Sequence, residues 1–245
     1  MSNTSIIILT AGCLDYLRRC IESIYNYTTN MEIIVVMNGG YFDTKKYLDE
    51  LGLSDISTIS IDVNVGFPIA CNIGAKTARS EYLCFLNDDT IVTPGWLDNM
   101  LPYLMNEDCG IVGPTTCYSR GLQCDNKLIS KRFRMTQEEI LSYAKELLPG
   151  AEETELYGFC MLMKKSVFDE VGGFYEGYGL GSFEDNDLQL KLRKLGYKGY
   201  WIKDSYVHHY GHITYESLGI NIDGLIRENK KIFDRRTLEV NNQGS

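Results

Sequence analysis

The chain predicts an α/β fold, a mostly parallel sheet flanked by helices. Two observations carry this reading. Short apolar runs alternate with helical patterns through the first hundred residues, and such runs fit strands covered on both faces. Their C-terminal ends are polar or glycine-bearing, at Thr10-Ala11, Asn38-Gly39-Gly40, Asp62–Gly66 and Asn87-Asp88-Asp89. Open α/β sheets bind ligands at those ends.

The elements follow in order. Ser5–Leu9 reads as a strand, Leu14–Tyr27 as a helix and Glu32–Met37 as a second strand. Thr44–Leu51 reads as a helix, Thr58–Val63 as a third strand and Phe67–Ala78 as a helix. Tyr82–Leu86 is a fourth strand, and Pro94–Met105 a helix with proline near its start. The second half is less regular. Gly110–Pro114 is a short strand, Tyr118–Pro149 a polar stretch with helical character from Thr136 to Leu148, and Leu156–Lys164 apolar again. Ser166–Val171, the pair Gly172-Gly173 and a loop YEGYGLGSF follow. In Glu184–Leu195 the acidic first turn, basic last turn and closing Gly196 favour helix over strand. Ile222–Phe233 reads as a helix in a C-terminal tail. With no repeat or linker, a single domain is expected.

Bulk properties narrow the function. The chain has 245 residues and 24 Lys and Arg against 33 Asp and Glu, a net charge of −9. That balance speaks against nucleic acid. The basic cluster Lys131-Arg132-Phe133-Arg134 is read as a solvated loop, with contact to an anionic acceptor or membrane surface left open. The N-terminal stretch MSNTSIIILTAGC lacks a signal-peptide pattern, and no run of about 18 apolar residues spans a membrane. The eight cysteines form no C-x-x-C pair, several lie within apolar runs, and reduced, mostly buried thiols are expected. Together these features suggest a cytoplasmic protein, with peripheral contact at the inner face of the membrane left open.

Several chemistries fail on their motifs. The first turn, TAGCLDYL, has one glycine where a dinucleotide fold needs G-x-G-x-x-G, and a Walker A loop is absent. Asn87 stands where a haloacid-dehalogenase-type phosphatase would carry its nucleophilic Asp. Carboxylates at a strand end suit a hard divalent cation, which in turn neutralises a diphosphate. Alone, Asp88-Asp89 would do no more than cap the next turn.

At this point the chain resembles the family-2 glycosyltransferases with the GT-A fold. The matching pieces are SIIILTAGCLDYLRRCIESI, EIIVVMNGG, NVGFPIACNIGAKTARSEYLCFLNDDTIV, YGFCMLMKKSVFDEVGGF, FEDNDLQLKLRKLGY and VHHYGHIT. They occur in the family's order and cover most of residues 5–215. The resemblance implies a catalytic domain over 1–215, with 1–115 as the nucleotide-sugar half, 116–215 as the acceptor and catalytic half, and 216–245 as a helical tail. Asn87-Asp88-Asp89 sits at the family's D-x-D position, with Asn87 replacing the first Asp. Asp89 would then be the direct metal ligand, with Asn87 and Asp88 facing the ribose or sugar.

The resemblance also implies that Thr10, Ala11 and Asn38 hold the base and ribose. Met37 stands where the family often has a base-contacting Asp, so Asp62 or Asn64 would substitute. Asn64, Gly66 and Asn72 match the N-x-G-x(5)-N pattern that lines the nucleotide pocket. Asp185 matches the general base, with Glu184 beside it, and three acids at a helix start could raise its pKa to suit that task. All three histidines lie between 208 and 212, and His209-x-Gly211-x-x-Thr214 matches the late motif whose histidine completes the metal site. Whether His208 or His209 is the ligand stays open.

The implied enzyme is an inverting, metal-dependent glycosyltransferase using Mn²⁺ ahead of Mg²⁺ and a nucleoside-diphosphate sugar, UDP ahead of dTDP. Its acceptor would be a glycan, a lipid-linked glycan or a protein. A catalytically inactive sugar-nucleotide-binding scaffold is the alternative, and a nucleotidyltransferase the next. Retention of Asp89 and Asp185 argues against the scaffold. The want of a glycine-rich phosphate loop argues against the nucleotidyltransferase.

Overall fold

The structure, a computed structural model, describes residues 3–242. The first half has the expected alternation: β1 (Thr4–Thr10), α1 (Leu14–Tyr27), β2 (Met31–Asn38), α2 (Phe42–Leu51), β3 (Ile56–Ile61), α3 (Phe67–Thr77) and β4 (Tyr82–Asn87). β1 pairs in parallel with β2 and β4, and β2 with β3. Strand side chains alternate between faces. One core therefore takes Ile6, Ile8, Ile33 and Val35, and the opposite core takes Ile7, Ile34, Val36 and Phe85. Helix α1 covers the first face with Leu17, Cys20, Ile21 and Ile24, the spacing of one apolar stripe. Burial on both faces is why these strands read as unbroken apolar runs.

The second half comprises β5 (Thr90–Val92), β6 (Cys109–Thr115), α4 (Gln137–Glu146), β7 (Ala151–Glu153), β8 (Cys160–Lys164), α5 (Lys165–Glu170), α6 (Glu184–Lys194), β9 (Lys198–His209), α7 (Ile213–Ser217) and α8 (Ile222–Asn242). Among the described residues, nine strands form one sheet in the order β3-β2-β1-β4-β8-β6-β9-β5, with β7 also on β9. β6 and β9 are parallel; β8 is antiparallel to both β4 and β6. All eight cysteines are free, and all but half-buried Cys124 are buried.

Two sequence expectations change here. Pro94–Met105 is not an α-helix: turns run to Met100, and a single 3₁₀ segment spans Leu101–Met105. Pro102 has no N–H for an α-helical bond and its ring crowds the carbonyl four residues back. The sequence reading also gave no strand at β9. Its apolar pattern is interrupted by Lys203-Asp204-Ser205, where the pairing with β6 jumps from Pro114–Ile202 to Thr115–Tyr206. That irregularity breaks the alternation by which a strand is recognised. Helix α4 carries a capping box, with the Thr136 hydroxyl accepting from Glu139 N–H and the Glu139 carboxylate accepting from Thr136 N–H.

Candidate active site

A cavity of about 380 Å³ opens at the carboxyl ends of β1, β2 and β4. Of the residues singled out from sequence, Ala11, Asn38, Asn64, Asn87, Asp88, Asp89, Glu184, Asp185 and His209 line it. Thr10, Asp62, Gly66, Asn72 and His208 do not.

Strand pairing assembles the first cluster. β4 ends at Asn87, and after a two-residue turn β5 runs antiparallel to the end of β9, so that Thr90 pairs with His209. This places Asp89 Oδ1 3.2 Å from His209 Nε2, and Asn87 Nδ2 3.3 Å from the same nitrogen. His209 Nδ1 lies 2.7 Å from the carbonyl of Tyr118, which can only accept, so Nδ1 carries the hydrogen and Nε2 faces Asp89. Phe159 stacks on the imidazole at 5.1 Å. Burial pushes the His209 pKa down, but the Asp89 charge and hydrogen bond with the Tyr118 carbonyl leave it raised. Burial likewise pushes Asp89 up, and His209 with the backbone N–H groups of Gly211 and Ile213 brings it below the ordinary range. Asp88 faces the Thr10 and Thr214 hydroxyls, which lower its pKa less than burial raises it. Burial and then the Asp89 charge raise it to about 7. Its Oδ2 is buried with no hydrogen-bond partner among the described side-chain and backbone groups.

A cation fits this cluster. Asp89 offers a carboxylate oxygen and His209 a ring nitrogen oriented from behind by a carbonyl, an arrangement common among metal-binding histidines. The orphaned Asp88 oxygen beside them marks a place where positive charge is unsupplied. Among the described residues no set of three or more His, Cys, Asp or Glu side chains forms a complete cage. An ion here would therefore draw its other ligands from substrate and water.

The second cluster sits at the start of α6. Ser182 and Phe183 both adopt left-handed backbone, φ +75° and +76°, a conformation costing non-glycine residues on the order of 1–3 kcal/mol each. Glu184 and Asp185 follow directly and are 7% and 8% exposed. Asp185 Oδ2 accepts from Gly158 N–H at 2.9 Å, and Oδ1 accepts from Asn186 N–H at 2.8 Å. Burial raises its pKa while those amides pull it back. Burial and the Asp185 charge push Glu184 to about 8, and its Oε2 has no partner among the described groups. Glu184 is therefore the harder of the two to ionise, and Asp185, held by two backbone N–H groups, the easier.

The remaining predicted residues do other work. Asn38 donates from Nδ2 to Asn64 Oδ1 at 2.8 Å and accepts from Val65 N–H at 2.8 Å, so its amide pins the loop after β3. Gly66, at φ +91°, lies so close to the Gly179 carbonyl that an added Cβ would stand 1.9 Å from its oxygen. Asn72 braces the loop after α5 through both backbone groups of Phe174 at 2.9 Å, in a separate cleft. Thr10 is buried beneath Asp88, and Asp62 is exposed. His208 points to the opposite face of β9 from His209. It is fully buried, with Nε2 2.9 Å from the Arg132 carbonyl and Nδ1 3.2 Å from the Tyr206 hydroxyl.

Some lining residues carried no motif. Tyr118 and Arg120 face the cavity from an irregular segment, and Tyr215 faces it from α7. Arg132 is not simply a solvated charge. Half-buried, it donates to the Tyr210 carbonyl at 2.6 Å and lies 4.2 Å over the Tyr118 ring, bracing the residue that orients His209. No sequence signal separated it from its exposed neighbours Lys131, Phe133 and Arg134.

The model of Glycosyl transferase family 2 matches residues 5–172. A Sinorhizobium fredii protein, named only as uncharacterized protein y4gI, is 28% identical over 219 residues, covering 84% of this chain and 24% of its own length. The crystal structure of GalNAc-T7 with UDP, GalNAc and Mn²⁺ superposes with a TM-score of 0.67 at 18% identity, covering 84% of this chain and 43% of that one. The mannosyltransferase PcManGT from Pyrobaculum calidifontis, in complex with GDP-Man and Mn²⁺, gives 0.64 at 16% identity, covering 85% and 56%. The fold is thus the GT-A fold of these glycosyltransferases. The chain spans less than two thirds of the length of each of the three. No helix among the described residues is long and apolar enough to cross a membrane.

Proposed function

The chain belongs to glycosyl transferase family 2, and from that premise we propose that it moves a sugar from a nucleoside-diphosphate sugar to an acceptor hydroxyl with inversion at the anomeric carbon. The carrying observation is that one cavity receives both the Asp89–His209 pair and the Glu184–Asp185 pair. Residues 1–115 hold the donor, UDP-sugar ahead of dTDP-sugar, and residues 116–215 shape the acceptor side. The reported complexes of the two similar structures, with UDP or GDP-Man and Mn²⁺, support a donor of this class.

Asp89 and His209 would hold a divalent cation, Mn²⁺ ahead of Mg²⁺, whose charge stabilises the departing nucleoside diphosphate. Ala11 and Asn64 border the space for base and ribose, while Asn38 keeps the Asn64 loop in place. Asp185 ionises more readily than Glu184, so Asp185 takes the acceptor proton. Glu184 keeps its own proton and can donate a hydrogen bond into the cavity. Backbone N–H groups on both Asp185 oxygens fix the direction of that carboxylate. Attack from the face opposite the diphosphate inverts the anomeric centre. The acceptor is a glycan, a lipid-linked glycan or a protein.

A thermal-shift panel tests this reading. With Mn²⁺ present, UDP-sugars should raise the melting temperature more than free sugars do, since binding to the native state stabilises it by mass action. No shift with any UDP-, dTDP- or GDP-sugar would remove the donor assignment.

A further inference from the structure

Glu184 and Asp185 take their direction from the backbone step just before them. Gly181, Ser182 and Phe183 are three consecutive residues with positive φ, and the last two carry side chains that disfavour it. Such a step persists only where its surroundings hold it. On its donor side the loop is fixed by Phe67 N–H donating to the Gly179 carbonyl at 3.1 Å, the approach that Gly66 permits. On its outer side it is held by helix α8, which lies beyond the region matched by the family model. Asn229 of α8, 4% exposed, donates from Nδ2 to the carbonyls of Tyr178 at 2.9 Å, Gly181 at 2.6 Å and Ser182 at 3.1 Å.

We propose that Asn229 is a positioning residue for the transfer reaction, holding the Gly181–Phe183 step left-handed and so aiming the Glu184 and Asp185 carboxyl groups into the cavity. The inference rests on the glycosyltransferase reading of that cavity. Helix α8 has other anchors. Phe233 stacks on Phe183 at 5.4 Å, Arg236 donates to Asp187 Oδ1 at 3.0 Å, and Lys194 donates to the Val240 carbonyl. Asn229 differs from these in binding the carbonyls of the strained step itself. If Ser182 and Phe183 relaxed to ordinary backbone, α6 would begin in a different direction. The Gly158 N–H bond to Asp185 and the burial of Glu184 would be lost together.

The experiment compares Asn229→Leu with Phe233→Leu. The first keeps side-chain volume, adds no charge and withdraws the donor from three carbonyls; the second loosens the same helix and leaves the amide in place. The primary readout is the titration of the Glu184 carboxyl by ¹³C NMR, which burial and the Asp185 charge hold near about 8. In Asn229→Leu it should move down by about one unit or more as the carboxyl is resolvated. The kcat for transfer should fall about tenfold to hundredfold, as misplaced reacting groups do, with the donor KM and the melting shift from UDP with Mn²⁺ unchanged. Phe233→Leu should lower the melting temperature while leaving the titration and kcat in place.

An unmoved Glu184 titration in folded Asn229→Leu overturns the proposal, and so does an equal effect in Phe233→Leu. Asn229→Ser supplies the same readouts if Asn229→Leu does not fold. A wild-type protein that binds no nucleotide and transfers no sugar removes the functional reading instead, and the titration still decides whether Asn229 sets the carboxyl geometry.

Discussion

The molecule contains two pairs of adjacent buried acids, Asp88-Asp89 at the end of β4 and Glu184-Asp185 at the start of α6. In sequence they look alike. In the structure the first pair meets an imidazole partner, His209, carried in by β9, and the pair splits: Asp89 falls below the ordinary range while Asp88 rises to about 7. Among the described residues the second pair forms no ion pair, and the charge of Arg120 across the cavity lowers Asp185 less than burial raises it. Backbone N–H groups hold Asp185, and both acids rise, Glu184 to about 8. Adjacency of carboxylates therefore does not set their task; the partner delivered from elsewhere in the sheet does. On the proposed reading, the first pair keeps a positive charge and the second exchanges a proton.

The largest effects should come from the residues that define each arrangement. Asp89→Ala leaves His209 without its carboxylate partner and, on the proposed reading, a cation with one protein ligand. Loss of several kcal/mol of charge stabilisation corresponds to about 10³-fold in rate. Both transfer and the Mn²⁺-dependent melting shift with UDP should disappear together. Cation-dependent transfer surviving in Asp89→Ala would break the distinction between the pairs. Asp185→Asn should instead keep the melting shift and lose about 10²–10⁴-fold in kcat, the range for a positioned base. If that variant transferred sugar at the wild-type rate, the proton-exchanging role would be wrong.

The parallel half of the fold was legible because its strands are buried on both faces. An unbroken run such as Ile6-Ile7-Ile8 says strand whichever face is counted. The acids were legible as well, since an ionised pair at the end of a buried run calls for a partner. What the sequence hid was the delivery of that partner. His209 reaches Asp89 only because β9 pairs with β5, and the Lys203–Ser205 irregularity conceals β9 from a periodicity reading. Asn72 shows the opposite failure. It satisfies a nucleotide-pocket pattern, yet its amide closes on Phe174 across a contact 102 residues apart in the chain. Likewise Asn38 lines the cavity while its side chain is engaged with the Asn64 loop.

A smaller effect sharpens the second pair. Glu184→Gln mimics the protonated form already present at neutral pH, so transfer there should stay within a few-fold of wild type. The acidic limb of the rate profile, set by Asp185, should not move, because burial and not Glu184 is what lifts it. Stability gives an independent readout. Glu184 titrates higher in the folded state than its ordinary 4.5, so its contribution is full below that value and is lost as pH rises toward about 8. Glu184→Gln should therefore gain on the wild type in melting temperature between those values. A parallel pH dependence in the two proteins would mean that Glu184 is not held protonated by its surroundings.

The smallest expected functional effect decides which histidine belongs to the first pair. His208 and His209 are neighbours on β9 and so face opposite sides of the sheet. Burial holds His208 down at about 4, and its Nε2–H donates to the Arg132 carbonyl, which leaves a neutral ring locked in the core. His208→Gln should cost about 1–3 kcal/mol for the disturbed buried hydrogen bonds, read by chemical denaturation, with the Mn²⁺ requirement of transfer unchanged. The sign of its pH dependence follows from the same burial. A histidine depressed from 6.5 to about 4 contributes full stability above 6.5 and loses it as pH falls through that interval, so the variant should lose less on acidification than the wild type. A weakened Mn²⁺ dependence in His208→Gln, with stability intact, would move the ligand from His209 to His208 and dissolve the contrast on which the two acid pairs are told apart.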